Sequence, residues 1–143
     1  MKRFFVFLPL ASFLLGCNQA PVAPPAPEEA APQVLAAGQA VYNTSCTTCH
    51  QPDGYGVPNM QPALVDDDIV AGDPTQVIRV VLQGPAKVLP SGRPSYANVM
   101  PAFNQLTDEQ IADVLSFIRH EYGHDASPIS ADEVKTVRSQ FGS

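Results

Sequence analysis

Two thiols and an imidazole are crowded into the run Cys46-Thr47-Thr48-Cys49-His50. On one turn of helix that spacing lets both sulfurs reach one flat partner while the histidine addresses its centre. It is the attachment pattern of c-type haem, whose two vinyl groups take the thiols and whose iron takes the imidazole. Other chemistries would use only part of the set. A zinc site would want a fourth ligand, and no second cysteine pair exists to give one, although His120 and His124 lie further along. A thioredoxin-like redox pair belongs in a strand-helix pattern, which this sequence lacks. An exported protein could also close the two thiols as a disulfide. One covalent haem employs all three residues and is the expected cofactor.

An iron bound by one histidine has a second axial position, commonly filled by methionine in electron carriers. Met60 follows His50 closely and would need a sharp reversal of the chain to cross the ring. Met100 stands in Asn98-Val99-Met100-Pro101-Ala102-Phe103, where Pro101 stiffens the segment and keeps Met100 out of helical geometry. The expected metal ligands are therefore His50 and Met100, with Met60 an apolar contact near the haem edge or a surface residue. His120 and His124 read as solvent-exposed, His120 lying between Arg119 and Glu121 on a polar helix face.

These groups need elements to position them, and the pattern is helical. From Val34 onward, Val34, Gly38, Val41, Tyr42 and Ser45 share one face. Glycine inside a helix costs about 1 kcal/mol against alanine, so Gly38 implies close approach by another helix. A second helix is capped by Asp73, opened by Pro74 and followed by Gly84, with Val77, Ile78, Val81 and Leu82 as its stripe. Thr107 and Gln110 form a capping box for a third, whose core face is Ile111, Val114, Leu115 and Ile118 and which Gly123 can end. Ser130 and Glu133 repeat the box before Val134, Val137 and Phe141. Residues 51–72 and 85–104 read as loops too long for a compact domain unless something orders them. A haem supplies that surface. The run Asp66-Asp67-Asp68 lacks calcium-ligand spacing and reads as a solvated turn.

The amino end reads differently. Lys2 and Arg3 precede an apolar run, Phe4 to Leu15, that is too short to span a bilayer and has the form of an export signal. Its close, Leu14-Leu15-Gly16-Cys17, resembles the lipobox of bacterial lipoproteins. That resemblance implies cleavage before Cys17, lipidation of its thiol and acylation of its amine, enough acyl chains for stable anchoring. The stretch after it, to Gln33, is rich in proline and alanine and reads as an extended tether, reaching up to about 50 Å at roughly 3.1 Å per residue. The expected organisation is a signal peptide at 1–16, a lipidated cysteine and tether at 17–33, and one domain at 34–143. The formal charge of −6, which loses Lys2 and Arg3 to become −8, disfavours nucleic acid and favours basic or neutral partner surfaces.

The stretch from Gly38 to Tyr122 resembles the small one-haem class I cytochrome c domain, above all in its Met-Pro-Ala-Phe segment and the Leu-Thr-Asp-Glu-Gln helix start. The resemblance implies an all-α, cytochrome c-like fold of three to five helices, with long loops wrapped around one haem. It implies that Gly38 and Tyr42 meet the C-terminal helix at Val114 and Phe117. It also implies that the Pro62 carbonyl accepts from the His50 ring nitrogen that does not bind iron, and that Leu64 packs on the haem. Arg93 and Tyr96 are either propionate partners or exposed. The Ser130 helix lies outside the resemblance and reads as packing on the outside of the domain. The expected function is one-electron transfer, with no enzymatic activity, between dehydrogenase or quinol-oxidising complexes and a terminal oxidase or reductase. The protein would work as a monomer or as a subunit of a redox complex, anchored at the periplasmic face of the inner or outer bacterial membrane. The alternative is a haem enzyme or sensor whose sixth ligand is labile.

Overall fold

The computed structural model describes residues 30–124 and 126–141. The expected signal peptide, Cys17 and the expected tether up to residue 29 lie outside the described residues. Among the described residues seven helical segments follow in order: α1 (Pro32–Ser45), α2 (Thr47–His50), α3 (Asp68–Ala71), α4 (Pro74–Gln83), α5 (Pro85–Val88), α6 (Asp108–Glu121) and α7 (Ala131–Ser139). Among the described residues the only β-pairing is a single antiparallel bridge, Val57 to Gln61. No helix there is long and apolar enough to cross a membrane.

The helix boundaries follow from local chemistry. Asp73 accepts from the Thr75 N–H at 2.9 Å, with Pro74 next, so α4 starts where its sequence says. Reciprocal capping boxes open α6, through Thr107 and Gln110, and α7, through Ser130 and Glu133. α1 begins at Pro32, two residues ahead of Val34, because proline is well suited to a first helical turn whose N–H groups have no partner. In the Asp66-Asp67-Asp68 run Asp66 lies in an exposed turn and Asp68 is exposed, but the Asp67 carboxylate caps α3, accepting from Ile69 and Val70.

α6 is the central element. Ile111, Ala112, Val114, Leu115, Ser116, Phe117, Ile118 and Arg119 are all buried, because α1, α3, α4 and α7 all pack on it. Burying each large aliphatic side chain contributes about 1.5–3 kcal/mol. At the α1–α6 crossing a Cβ on Gly38 would lie 2.1 Å from the Asp113 carbonyl and 2.6 Å from the Phe117 Cβ. Phe117 is where the resemblance put it, but the closest approach is made by the Asp113 backbone rather than by Val114. α7 closes the other side with Val134 and Val137 buried. The preceding loop is held by Ser116, whose hydroxyl donates to the Ile129 carbonyl and accepts from its N–H.

Arg119 corrects a second expectation. It is buried rather than on a polar face, donating to the carbonyls of Val70, Gly72 and Ser127 at 2.7–2.9 Å. Burial lowers its basicity, and Glu133 and Asp73 oppose that. His120 is half-buried beside Glu121, and exposed His124 contacts Asp66.

Candidate haem-attachment site

Cys46 ends α1 and begins α2, so the two-cysteine motif sits on the helical turn its spacing implies. The N–H groups of Cys49 and His50 both donate to the Cys46 carbonyl, at 3.0 and 2.9 Å. The two cysteines are half-buried and form no disulfide with each other. Before haem attachment, burial, reinforced by the neighbouring Cys49, pushes the Cys46 thiol up to about 11.

His50 is 7% exposed. Its Nδ1 lies 3.1 Å from the Pro62 carbonyl, which commits one ring nitrogen as a donor and leaves the other as the candidate ligand. Burial lowers its basicity despite the Pro62 bond and nearby Asp67, favouring the neutral imidazole that metal binding requires. The Pro62 carbonyl is reached because the chain doubles back. Gly56 N–H donates to the His50 carbonyl at 3.0 Å and Leu64 N–H to the Gly54 carbonyl at 2.7 Å. Gly56 has φ +63°, and a Cβ there would sit 2.4 Å from the same Pro62 oxygen. Only glycine leaves that carbonyl open to the histidine.

Two tyrosines hold the exit from His50. The Tyr42 hydroxyl donates to the Gln51 carbonyl at 2.6 Å and the Tyr122 hydroxyl to the Pro52 carbonyl at 2.9 Å. Burial raises both phenols above their ordinary value, so they stay donors at physiological pH. With Phe117 they form an aromatic cluster with centroids 5.5–6.1 Å apart. Sequence reasoning saw Tyr42 as a packing residue and passed over the Tyr122 hydroxyl. Its position one residue past α6, at the end of the resemblance, was the available signal.

Met100 and Leu64 are half-buried and pack against the core with Phe103 and Leu106, whereas Met60 is 44% exposed. The two irregular segments meet: Ala97 N–H donates to the Asn59 carbonyl at 2.9 Å and Asn98 N–H to the Met60 carbonyl at 3.1 Å. The Met100 segment is thereby tied to the loop that follows His50. Arg93 pairs with Asp67 at 3.6 Å, and Tyr96 is exposed.

The family model for cytochrome c matches residues 35–121. The chain belongs to the cytochrome c family. Among its relatives, the cytochrome c subunit of alcohol dehydrogenase (quinone) from Gluconobacter oxydans is 38% identical over 106 residues, covering 72% of this chain and 22% of that protein. The gluconate 2-dehydrogenase cytochrome c subunit of Pantoea cypripedii is 38% identical over 105 residues, covering 71% and 24%. Cytochrome c-552 of Thermus thermophilus is 36% identical over 113 residues, covering 72% of this chain and 85% of that one. The chain thus spans about a quarter of the two dehydrogenase subunits and most of the small cytochrome. Family membership implies a covalently bound haem c, and the residues present fit it: two half-buried cysteines on one turn, beside a buried histidine with one nitrogen already committed.

Proposed function

We propose that this cytochrome c is a one-electron carrier whose iron is held axially by His50 and Met100, accepting electrons from a dehydrogenase and delivering them to a terminal oxidase or reductase. The bound haem supplies the chemistry, a single step between ferric and ferrous iron. The observation that carries the reading is the buried His50 ring with its Nδ1 on the Pro62 carbonyl, the bond that fixes a ligating imidazole and raises its basicity. Met100 is the more buried of the two candidate methionines and is held by its segment against the core. Thioether ligation and an apolar surround raise the reduction potential, which suits a carrier downstream of a dehydrogenase. The named dehydrogenase relatives support that kind of donor.

The same reading takes Cys17 as the lipidated residue that keeps the domain at the periplasmic face of a membrane, where a tether raises its effective concentration near membrane-bound partners. The test uses full-length protein matured in a host with a working cytochrome assembly system. Met100→Ala is expected to keep the pyridine haemochrome, lose the weak sulfur-to-iron band of the ferric protein and lower the midpoint potential. An unchanged spectrum refutes the Met100 assignment. Labelled palmitate should enter the wild type and not Cys17→Ala; equal labelling removes the anchor.

A further inference from the structure

α7 lies beyond residues 35–121, which the family model matches, yet one of its side chains reaches the segment that follows Met100. The Arg138 guanidinium spends its fork on three acceptors. Nε donates to the Asp108 carboxylate at 2.7 Å, Nη1 to the Asn104 carbonyl at 2.9 Å and Nη2 to the Leu106 carbonyl at 2.8 Å. Two acceptors, the Asn104 and Leu106 carbonyls, fall in the short link after Met100-Pro101-Ala102-Phe103, and the third, Asp108, is the first residue of α6. Further up that link, the Phe103 N–H donates to the Val81 carbonyl and the Leu106 N–H to the Phe103 carbonyl. Pro101, Ala102, Asn104 and Gln105 are exposed, so little packing restrains them.

Arg138 itself is well anchored. Val134 and Val137 fix α7 against the core, and the Ser130–Glu133 box fixes its start. The Arg138 and Asp108 side chains are 32% and 24% exposed, so their contact is screened less than a surface pair. Charge-assisted bonds from a planar fork are strong and directional, and lysine cannot reproduce all three.

We propose that Arg138 is a positioning residue for the sixth ligand: from the C-terminal helix it holds the Met100 segment closed and sets how often the methionine sulfur leaves iron. For sulfur to leave, the 101–106 segment must swing out, and its lower end is fixed by Arg138 at the Asn104 and Leu106 carbonyls, with Asp108 of α6 bracing the guanidinium. Removing those points lowers the cost of swinging without altering any group that faces the iron. This rests on the axial role of Met100 proposed above.

The experiment measures imidazole binding to the ferric holoprotein at saturating imidazole, where the rate equals that of sulfur release, alongside denaturant unfolding. Arg138→Gln is expected to speed imidazole entry roughly tenfold or more, the factor that losing one charged hydrogen bond represents. Arg138→Lys, keeping charge but not the fork, should fall between it and wild type, and serves as the readout should the glutamine variant fail to fold. Val70→Ala, which removes buried packing on α3, away from α7 and the fork, and lowers global stability, should leave the imidazole rate near wild type. Equal acceleration by Val70→Ala and Arg138→Gln overturns the proposal, because the effect would then be general stability. So does an unchanged rate in the Arg138 variants. A wild-type ferric protein with no sulfur-to-iron band instead refutes the Met100 reading, and the two failures are told apart by that spectrum.

Discussion

Two successive carbonyls, those of Gln51 and Pro52, each receive a tyrosine hydroxyl, so the backbone leaving His50 is fixed from the helix crossing as well as by the Gly54 and Gly56 N–H groups of its own loop. Buried hydroxyls of this kind keep polar backbone satisfied where water is excluded. Asp113 shows the opposite balance. Its carboxyl is held above the ordinary value of 3.8 by burial first and by Glu109 second. The folded state therefore keeps this proton to higher pH than the unfolded chain does. Stability falls as pH rises through the window just above the ordinary carboxylate value, and the penalty is absent below it. Asp113→Asn, which cannot ionise, should be more stable than wild type near pH 7, with the difference closing in acid. Urea unfolding across about pH 3 to 7 checks this, and a gap independent of pH contradicts it. The haem motif was fully legible because its spacing is its meaning. Arg119 was not: its charge suggested solvent, and only the distant carbonyls of Val70 and Gly72 explain its burial.

At the scale of elements, cap chemistry made α4, α6 and α7 readable, since Asp73, Thr107 with Gln110, and Ser130 with Glu133 each act within four residues. The α2 turn was implied by the spacing of its two cysteines, but the single-turn helices α3 and α5 were hidden, because four residues carry no periodicity and the Asp67 cap is indistinguishable in sequence from a polar loop. Gly38 was legible as a close approach, but the backbone oxygen it meets was not, since side-chain patterns say nothing of which carbonyl faces a partner helix. With no room for a Cβ against that oxygen, Gly38→Ala must push α1 away from α6. We expect a loss of about 3 kcal/mol, outweighing the helix propensity gained. Guanidinium titration of the holoprotein measures it, and a neutral or stabilising result would mean the helices part easily.

Taken whole, the molecule carries its charge unevenly. The stretches 30–52, 54–65 and 85–106, which include α1, the haem motif and the Met100 segment, contain no Asp or Glu, and their only formal cations are Lys87 and Arg93. The carboxylates lie in 66–73 and on α6 and α7, apart from Glu28, Glu29, Asp53 and Asp125. The net charge of −6 is thus a poor guide to what an approaching reactant feels, because screening makes the nearest groups count most. Oxidation of the reduced protein by ferricyanide should slow as salt is added, the sign of local attraction. Acceleration with salt would show that total charge governs instead. The expectation of basic or neutral partner surfaces came from total charge and would then stand.

The Ser116–Ile129 pair and the α7 valines have a practical corollary. A version trimmed at Glu121, where the family match stops, would strip Val134 and Val137 from the interior, orphan the Ser116 hydroxyl and remove one of the acceptors of Arg119. The folding unit extends well past the recognisable domain, and anyone shortening the gene to the conserved-looking part would cut through the core.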